Sequence, residues 1–389
     1  MSPGRDDDRR GVLGIVVNPV AGIGGPVALK GSDGPDVQRL AGARGSRPRA
    51  HERAVRALAH VAAARPGTTV LTVGGAMGEA AVAAAGLVPR VVGAGAPPGR
   101  STGVDTTAGV RAMAAAGADL VLFVGGDGTA RDVCAGAGEV PVLGVPAGVK
   151  MYSGCFAVSP AAAGALALAW LAGPVRTEER EVLDVDEEQV RTGRVEPHLF
   201  GLVEVPVLDG RTQARKAPTP ASSRAAVEAA ARGAVRAMQP DVSYLLGPGG
   251  TTAEVARILG VPFTPLGVDV VRDGRLVVRD ATEQQLLDVV AAGPARAVVT
   301  VIGGQGFLLG RGNQQISAAV LARMGPDPLL VVATQEKLTG LAGRPLLVDT
   351  GDRAVDGRLA GHVRIVTGPS TTSFYPVTAP ENEGAAPCD

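Results

Sequence analysis

The run Leu122-Phe123-Val124-Gly125-Gly126-Asp127-Gly128-Thr129 constrains this chain more than any other. An apolar strand empties there into a glycine turn that carries one carboxylate and then opens a helix. Glycines let a backbone approach an anion closely and turn with positive φ, and the helix start offers free N–H groups and the positive end of a dipole. Such a turn is either a phosphate seat or a plain strand-to-helix joint. Asp127 favours the first reading, because it stands where a reacting hydroxyl can meet a base. The plain alternative is that Asp127 caps the helix behind it.

Around this motif, β-branched runs alternate with alanine-rich helical stretches. Strands are expected at Val12–Asn18, Val70–Val73, Arg90–Gly93, Leu120–Val124 and Val142–Val145, with helices at His51–Ala64, Gly78–Gly86 and Thr107–Ala116. This alternation implies an α/β fold whose first domain is a Rossmann-like parallel sheet, covered on both faces and binding ligands beyond the carboxyl ends of its strands. Asn18-Pro19 and Gly125-Gly126-Asp127 both fall at such ends, so the topology itself brings them together.

The 389 residues exceed what one hydrophobic core usually serves. The expected division is a tail over 1–10, a nucleotide-binding α/β domain over 11–175, a second, strand-rich α/β domain over 176–370, and a tail over 371–389. With only 3% aromatic residues, both cores must be built mainly from Ala, Val and Leu.

The stretch Met151 to Val175 has no charged residue and is long enough to cross a membrane. Pro160 interrupts it, and the reading adopted is a turn followed by a buried helix over Ser159–Leu171, with Ser159 as N-cap, Pro160 at the first helical position and Trp170 as a core anchor. Beyond Gly173-Pro174 come a charged segment, Glu178–Glu188, and an alternating strand, His198–Val205. Asp209 to Arg224 has the composition of an exposed loop, either a solvated linker or a basic flap over a phosphorylated ligand.

Ser222–Met238 reads as a helix. Ser243–Leu246 reads as a strand ending in a second glycine-threonine turn, Gly247-Pro248-Gly249-Gly250-Thr251-Thr252, a suitable seat for a phosphate or ribose. Further strands are expected at Phe263–Val271, Leu276–Val278, Ala297–Ile302, Leu329–Ala333 and His362–Val366, with a helix over Thr282–Ala291.

Lys plus Arg equal Asp plus Glu at 38 each, which gives no bulk attraction to nucleic acid or to an anionic membrane. Cys134, Cys155 and Cys388 form no CxxC pair and the four histidines are scattered, so neither a disulfide framework nor a structural zinc site is indicated. The polar N-terminus lacks the apolar core of a secretory signal. A cytoplasmic protein that acts on a small molecule, away from nucleic acid and membranes, is the expectation.

The GGDGT segment resembles that of the ATP-NAD kinase family and of the wider superfamily that includes diacylglycerol and sphingosine kinases. The resemblance extends to Gly14-Ile15-Val16-Val17-Asn18-Pro19-Val20-Ala21-Gly22 and to Val142 through Lys150. It also takes in Gly247 through Thr252, and Gly303-Gly304-Gln305-Gly306-Phe307 with Gly310-Arg311-Gly312-Asn313-Gln314-Gln315. It spans roughly residues 11 to 370 and points to the ATP-NAD kinase-like branch.

It implies an NAD kinase-like fold and an ATP-dependent phosphotransferase acting on the adenosine 2′-hydroxyl of NAD or on a related hydroxyl metabolite, with Mg²⁺ and commonly as a homo-oligomer. Asp127 is then the catalytic base. Asn18, Gly22, Lys30, Gly125, Gly126, Gly128, Thr129, Gly249, Gly250, Thr251 and Thr252 are the candidates for nucleotide and phosphate binding. Gly148, Lys150, Gly304, Gln305, Arg311 and Asn313 are those for the acceptor.

No metal ligand is singled out, since Asp269, Asp349 and Asp352 have no spacing that separates them from turn aspartates. NAD kinases carry an Asn-Glu pair for the acceptor's adenosine portion, whereas the nearest counterpart here is Val203-Glu204. The acceptor therefore stays open, as does the donor between ATP, another nucleoside triphosphate and polyphosphate. A lipid kinase and a nucleotide-binding sensor without catalysis are the competing readings.

Overall fold

In a computed structural model, residues 11–29, 35–97, 101–149, 151–184, 198–208, 210–212 and 224–380 are described. Lys30, Lys150, most of the 209–224 loop and both chain ends lie outside these residues.

The first domain is built on a parallel sheet of order β3-β2-β1-β4-β5. Its strands are β1 (Leu13–Val17), β2 (Thr69–Val73), β3 (Val88–Gly93), β4 (Leu120–Gly125) and β5 (Val142–Pro146). Every residue of β1, β4 and β5 is buried, as expected of central strands covered on both faces. The helices are α1 (Pro35–Ala43), α2 (Ala50–Ala64), α3 (Glu79–Ala84), α4 (Gly103–Ala115), α5 (Asp127–Ala137) and α6 (Pro160–Ala172).

The charge-free stretch is α6. Ser159 Oγ accepts the Ala162 amide at 3.0 Å and Pro160 opens the helix. A Cβ at Gly164 would lie 2.2 Å from the Ala57 carbonyl oxygen, so glycine is what lets α6 lie directly on α2. Among the described residues, no helix is long and apolar enough to cross a membrane.

The start of the charged segment after residue 175 pairs with the expected strand. β6 (Thr177–Asp184) and β7 (His198–Pro206) form an antiparallel hairpin. Val182, Val203 and Val205 of this hairpin join the first hydrophobic core, as does Phe307 from much later in the chain.

The second domain contains a nine-stranded sheet of order β10-β9-β8-β11-β13-β15-β16-β14-β12. These strands are β8 (Ser243–Leu246), β9 (Asp269–Arg272), β10 (Arg275–Val278), β11 (Ala295–Thr300), β12 (Phe307–Leu309), β13 (Leu329–Val332), β14 (Leu346–Val348), β15 (Gly361–Val366) and β16 (Thr372–Thr378). The helices are α7 (Arg224–Ala237), α8 (Gly250–Leu259), α9 (Glu283–Ala292), α10 (Ala318–Arg323), α11 (Gln335–Thr339) and α12 (Arg353–Leu359).

Two expectations are corrected here. The strand expected over Phe263–Val271 begins only at Asp269, because Asp269 instead binds the Thr264 amide and hydroxyl at 2.6 and 2.8 Å and closes a turn. The chain from 371 is not all tail, because β16 pairs with both β15 and β14 inside the sheet.

A buried ionic clasp joins the domains. Asp349, after β14, accepts from Arg53 of α2 at 2.8 and 2.9 Å and from Arg311 at 2.7 Å. Arg53 also donates to the Pro146 carbonyl at 2.7 Å, and Arg311 to the Val158 carbonyl at 3.0 Å. Burial alone would raise the pKa of Asp349. The two guanidinium charges and their hydrogen bonds outweigh it and hold the carboxyl well below the usual carboxylate range. Asp349→Asn should therefore lower the unfolding free energy by about 3–5 kcal/mol in urea titrations, since two buried arginines lose their counter-ion.

Asp356 behaves in the opposite sense, since burial pushes its pKa up to about 6 against the opposing hydrogen bond from Thr350. A raised carboxyl pKa stabilises the fold in acid, and that contribution is lost as pH climbs from about 4, the unfolded value, through the folded one. Asp356→Asn should be more stable than the parent above about pH 6, and urea midpoints of the two should converge below about pH 4.

Candidate active site

Three neighbouring strands, β1, β4 and β5, deliver three loops to one edge of the first sheet. The Asn18 amide N–H donates to the Val124 carbonyl at 3.0 Å, and its side chain donates to Thr129 Oγ1 at 3.0 Å while accepting the Val20 amide at 3.2 Å. The side chain of Asn18 thus stitches the first loop to the GGDGT turn.

Gly22 has φ +80°, and a Cβ there would sit 2.4 Å from the Ala147 carbonyl oxygen. Ala147 and Gly148 in turn donate both their amides to the Gly125 carbonyl at 2.9 Å. The Asn18, Asp127 and Gly148 loops are therefore one hydrogen-bonded unit.

Asp127 is the first residue of α5, behind Gly126 at the N-cap, and it does not cap the helix. Its carboxylate accepts the Tyr152 amide at 2.7 Å, the Ser153 amide at 3.0 Å and Ser153 Oγ at 2.6 Å. Ser153 Oγ also accepts the Leu183 amide of β6 at 3.0 Å, so the hairpin touches the partner of the carboxylate. Burial, and after it the charge of Asp127, push the Tyr152 phenol up to about 12. The nearby Cys155 thiol is raised well above its ordinary value by the same two causes in the same order. Both groups therefore stay protonated at neutral pH.

The second sheet has its own set of strand ends. β8, β11 and β13 are adjacent and parallel, and after them come the Gly249–Thr252 turn, Thr300 through Gly306, and α11 with Lys337. Two cavities lie where the domains meet. One of ≈ 620 Å³ is lined by Gly22, Gly148, Arg49, Arg53, Arg311 and Gln314, among others. One of ≈ 260 Å³ is lined by Tyr152, Gly249, Gly250, Gln305, Asn313 and Lys337, among others. Met151 and Arg311 line both, which makes them the wall between. Asp127 lies directly behind the backbone that follows Met151.

Residues 13–174 match the model of the ATP-NAD kinase N-terminal domain, and residues 239–377 that of the ATP-NAD kinase C-terminal domain. The chain belongs to the ATP-NAD kinase family. No curated protein and no solved structure matches it.

In this ATP-NAD kinase family member the candidate residues are distributed differently from their grouping by sequence. Gly148, expected on the acceptor side, shares a cavity with Gly22. Gly249 and Gly250, expected with the Asn18 and Asp127 loops, line the other cavity together with Gln305, Arg311 and Asn313. Gln305 bridges the domains by donating to the Met151 carbonyl at 3.0 Å. The Asn313 amide closes its own loop, donating to Leu308 O at 2.8 Å and accepting the Gly310 amide at 2.9 Å.

Thr252 Oγ1 bonds the Gly249 carbonyl at 2.8 Å, and the Gly304 carbonyl accepts from Arg344 at 3.1 Å. Asp352 caps α12, so Asp269, Asp349 and Asp352 all serve the fold. Val203 lies in the first core, and Glu204 stands opposite Glu179 in the hairpin and lines neither cavity.

Arg53, Tyr152, Ser153 and Lys337 escaped the reading of the sequence. Lys337 had a usable signal, since it follows the carboxyl end of a parallel strand, where ligands collect. Gly22→Ala should cost about 1–3 kcal/mol by forcing a Cβ into positive φ against the Ala147 carbonyl, and should loosen the three-loop unit. A lowered urea midpoint together with weakened nucleotide binding checks this.

Proposed function

We propose that the protein is an ATP-dependent kinase that phosphorylates the adenosine 2′-hydroxyl of NAD, with Asp127 as general base. The observation that carries the reading is the position of Asp127, on the hydrogen-bonded loop unit and directly behind the wall that separates the two cavities. Phosphoryl transfer asks a protein mainly to align donor and acceptor and to stabilise the charge of the transferring group. The Gly22–Gly148 cavity, with Arg49 in its lining, suits the donor's phosphates, and the Gly249–Lys337 cavity suits the acceptor.

In the reaction, the attacking hydroxyl gives its proton to Asp127, its oxygen bonds to the γ-phosphorus, and ADP leaves with the bridging oxygen. Ser153 Oγ also lies 3.3 Å from the Leu183 carbonyl, an alternative acceptor for its proton.

Among the described residues no three His, Cys, Asp or Glu side chains converge. Magnesium therefore fits as a companion of the donor's phosphates rather than as a resident ion. Bound in that way, it neutralises charge on the phosphate oxygens. The balanced net charge and the free, part-buried or buried thiols Cys134 and Cys155 favour a cytoplasmic small-molecule enzyme.

Incubation with ATP, Mg²⁺ and NAD should yield NADP by mass. Asp127→Asn should lower kcat by about 10²–10⁴-fold with an unchanged circular dichroism spectrum. Near-normal turnover in that variant would remove Asp127 from the mechanism.

A further inference from the structure

Lys337 enters the smaller cavity from α11, and its ammonium is flanked by hydroxyls and a carbonyl. Nζ lies 3.3 Å from Thr251 Oγ1, 3.4 Å from Thr300 Oγ1 and 3.5 Å from the Val301 carbonyl. These contacts are long for N–H···O hydrogen bonds, whose usual length is about 2.9–3.0 Å. Among the described residues no carboxylate forms an ion pair with it. Burial lowers the pKa of the ammonium. A desolvated cation facing neutral oxygens gains from an anion brought into the same space. Arg311, which also lines this cavity, is already committed to Asp349.

We propose that Lys337, with Thr300, binds the diphosphate of a dinucleotide acceptor in the smaller cavity. The volume of ≈ 260 Å³ is below the roughly 300–1,000 Å³ of sites that enclose a whole drug-sized ligand, so only a portion of a dinucleotide, here the diphosphate, is assigned to it. Tyr152 lines the same cavity, and its amide holds Asp127 at 2.7 Å, so a ligand anchored at Lys337 lies against the segment that carries the proposed base. The inference rests on the kinase reading given above and adds a binding residue and a ligand group to it.

Calorimetric titration of the wild type, Lys337→Met and Lys337→Arg with pyrophosphate, ADP-ribose and adenosine tests it, alongside turnover of NAD. Lys337→Met should weaken pyrophosphate and ADP-ribose about 10- to 100-fold, the size expected for a charge-assisted hydrogen bond, and leave adenosine unchanged. Lys337→Arg should restore most of the loss. Wild-type binding of pyrophosphate should also fall off as pH rises through the lowered lysine pKa, while the arginine variant holds its affinity.

If Lys337→Met does not fold, acetic anhydride labelling of the wild type replaces it, and pyrophosphate should then protect Lys337. Equal affinity in all three proteins, absence of pyrophosphate binding to the wild type, or unprotected labelling would overturn the assignment and leave Lys337 as a structural bridge between strand ends. Lys337-dependent binding without NAD turnover overturns the kinase reading alone. Turnover with Lys337-independent binding overturns this inference alone.

Discussion

Asp349 keeps its charge in the interior because Arg53 and Arg311 reach it from opposite domains, and both cavities depend on that contact. Arg53 also holds the end of β5 through Pro146, and Arg311 also holds the turn before α6 through Val158. The ends of the two sheets are thereby fixed to one another, with Met151 and Arg311 between them. A buried ion pair is seldom a strong source of net stability, because desolvation consumes much of the attraction. Its value here is positional, since the same three side chains fix the cavity wall and resist any slide of one domain across the other.

The chemistry collects where parallel strands end. In the first domain, the loop that holds Asn18 and Gly22 is far along the chain from those of Asp127 and Gly148, yet the order β1-β4-β5 makes the three loops neighbours. In the second, the order β8-β11-β13 does the same for Thr251, Thr300 and Lys337. The first set is joined by backbone bonds across its loops, the second by the contacts of the Lys337 ammonium with Thr251, Thr300 and the Val301 carbonyl.

What could be read from the chain follows from how local each cause is. The central strands, the Ser159 cap with Pro160 behind it, and the meeting of Asn18 with the GGDGT turn depend on short-range pattern and on a single rule of α/β topology. The clasp could not be read, because Arg53 and Asp349 are separated by almost the whole chain and each looks like an ordinary helix or turn residue. The anchorage of Asp127 to Tyr152 and Ser153 depends on a turn whose sequence carries no signal for it. β16 is hard to read because its run Thr372–Thr378 contains Pro376 and is polar and exposed over much of its length, although it lies inside the sheet.

The β6–β7 hairpin belongs to neither large sheet, yet its Leu183 amide bonds the hydroxyl that steadies Asp127. Two strands resist fraying less well than a five-stranded sheet with both faces covered. Because Val182, Val203 and Val205 of the same ribbon are part of the first core, loosening it on warming would disturb that core and the seat of the Asp127 carboxylate together.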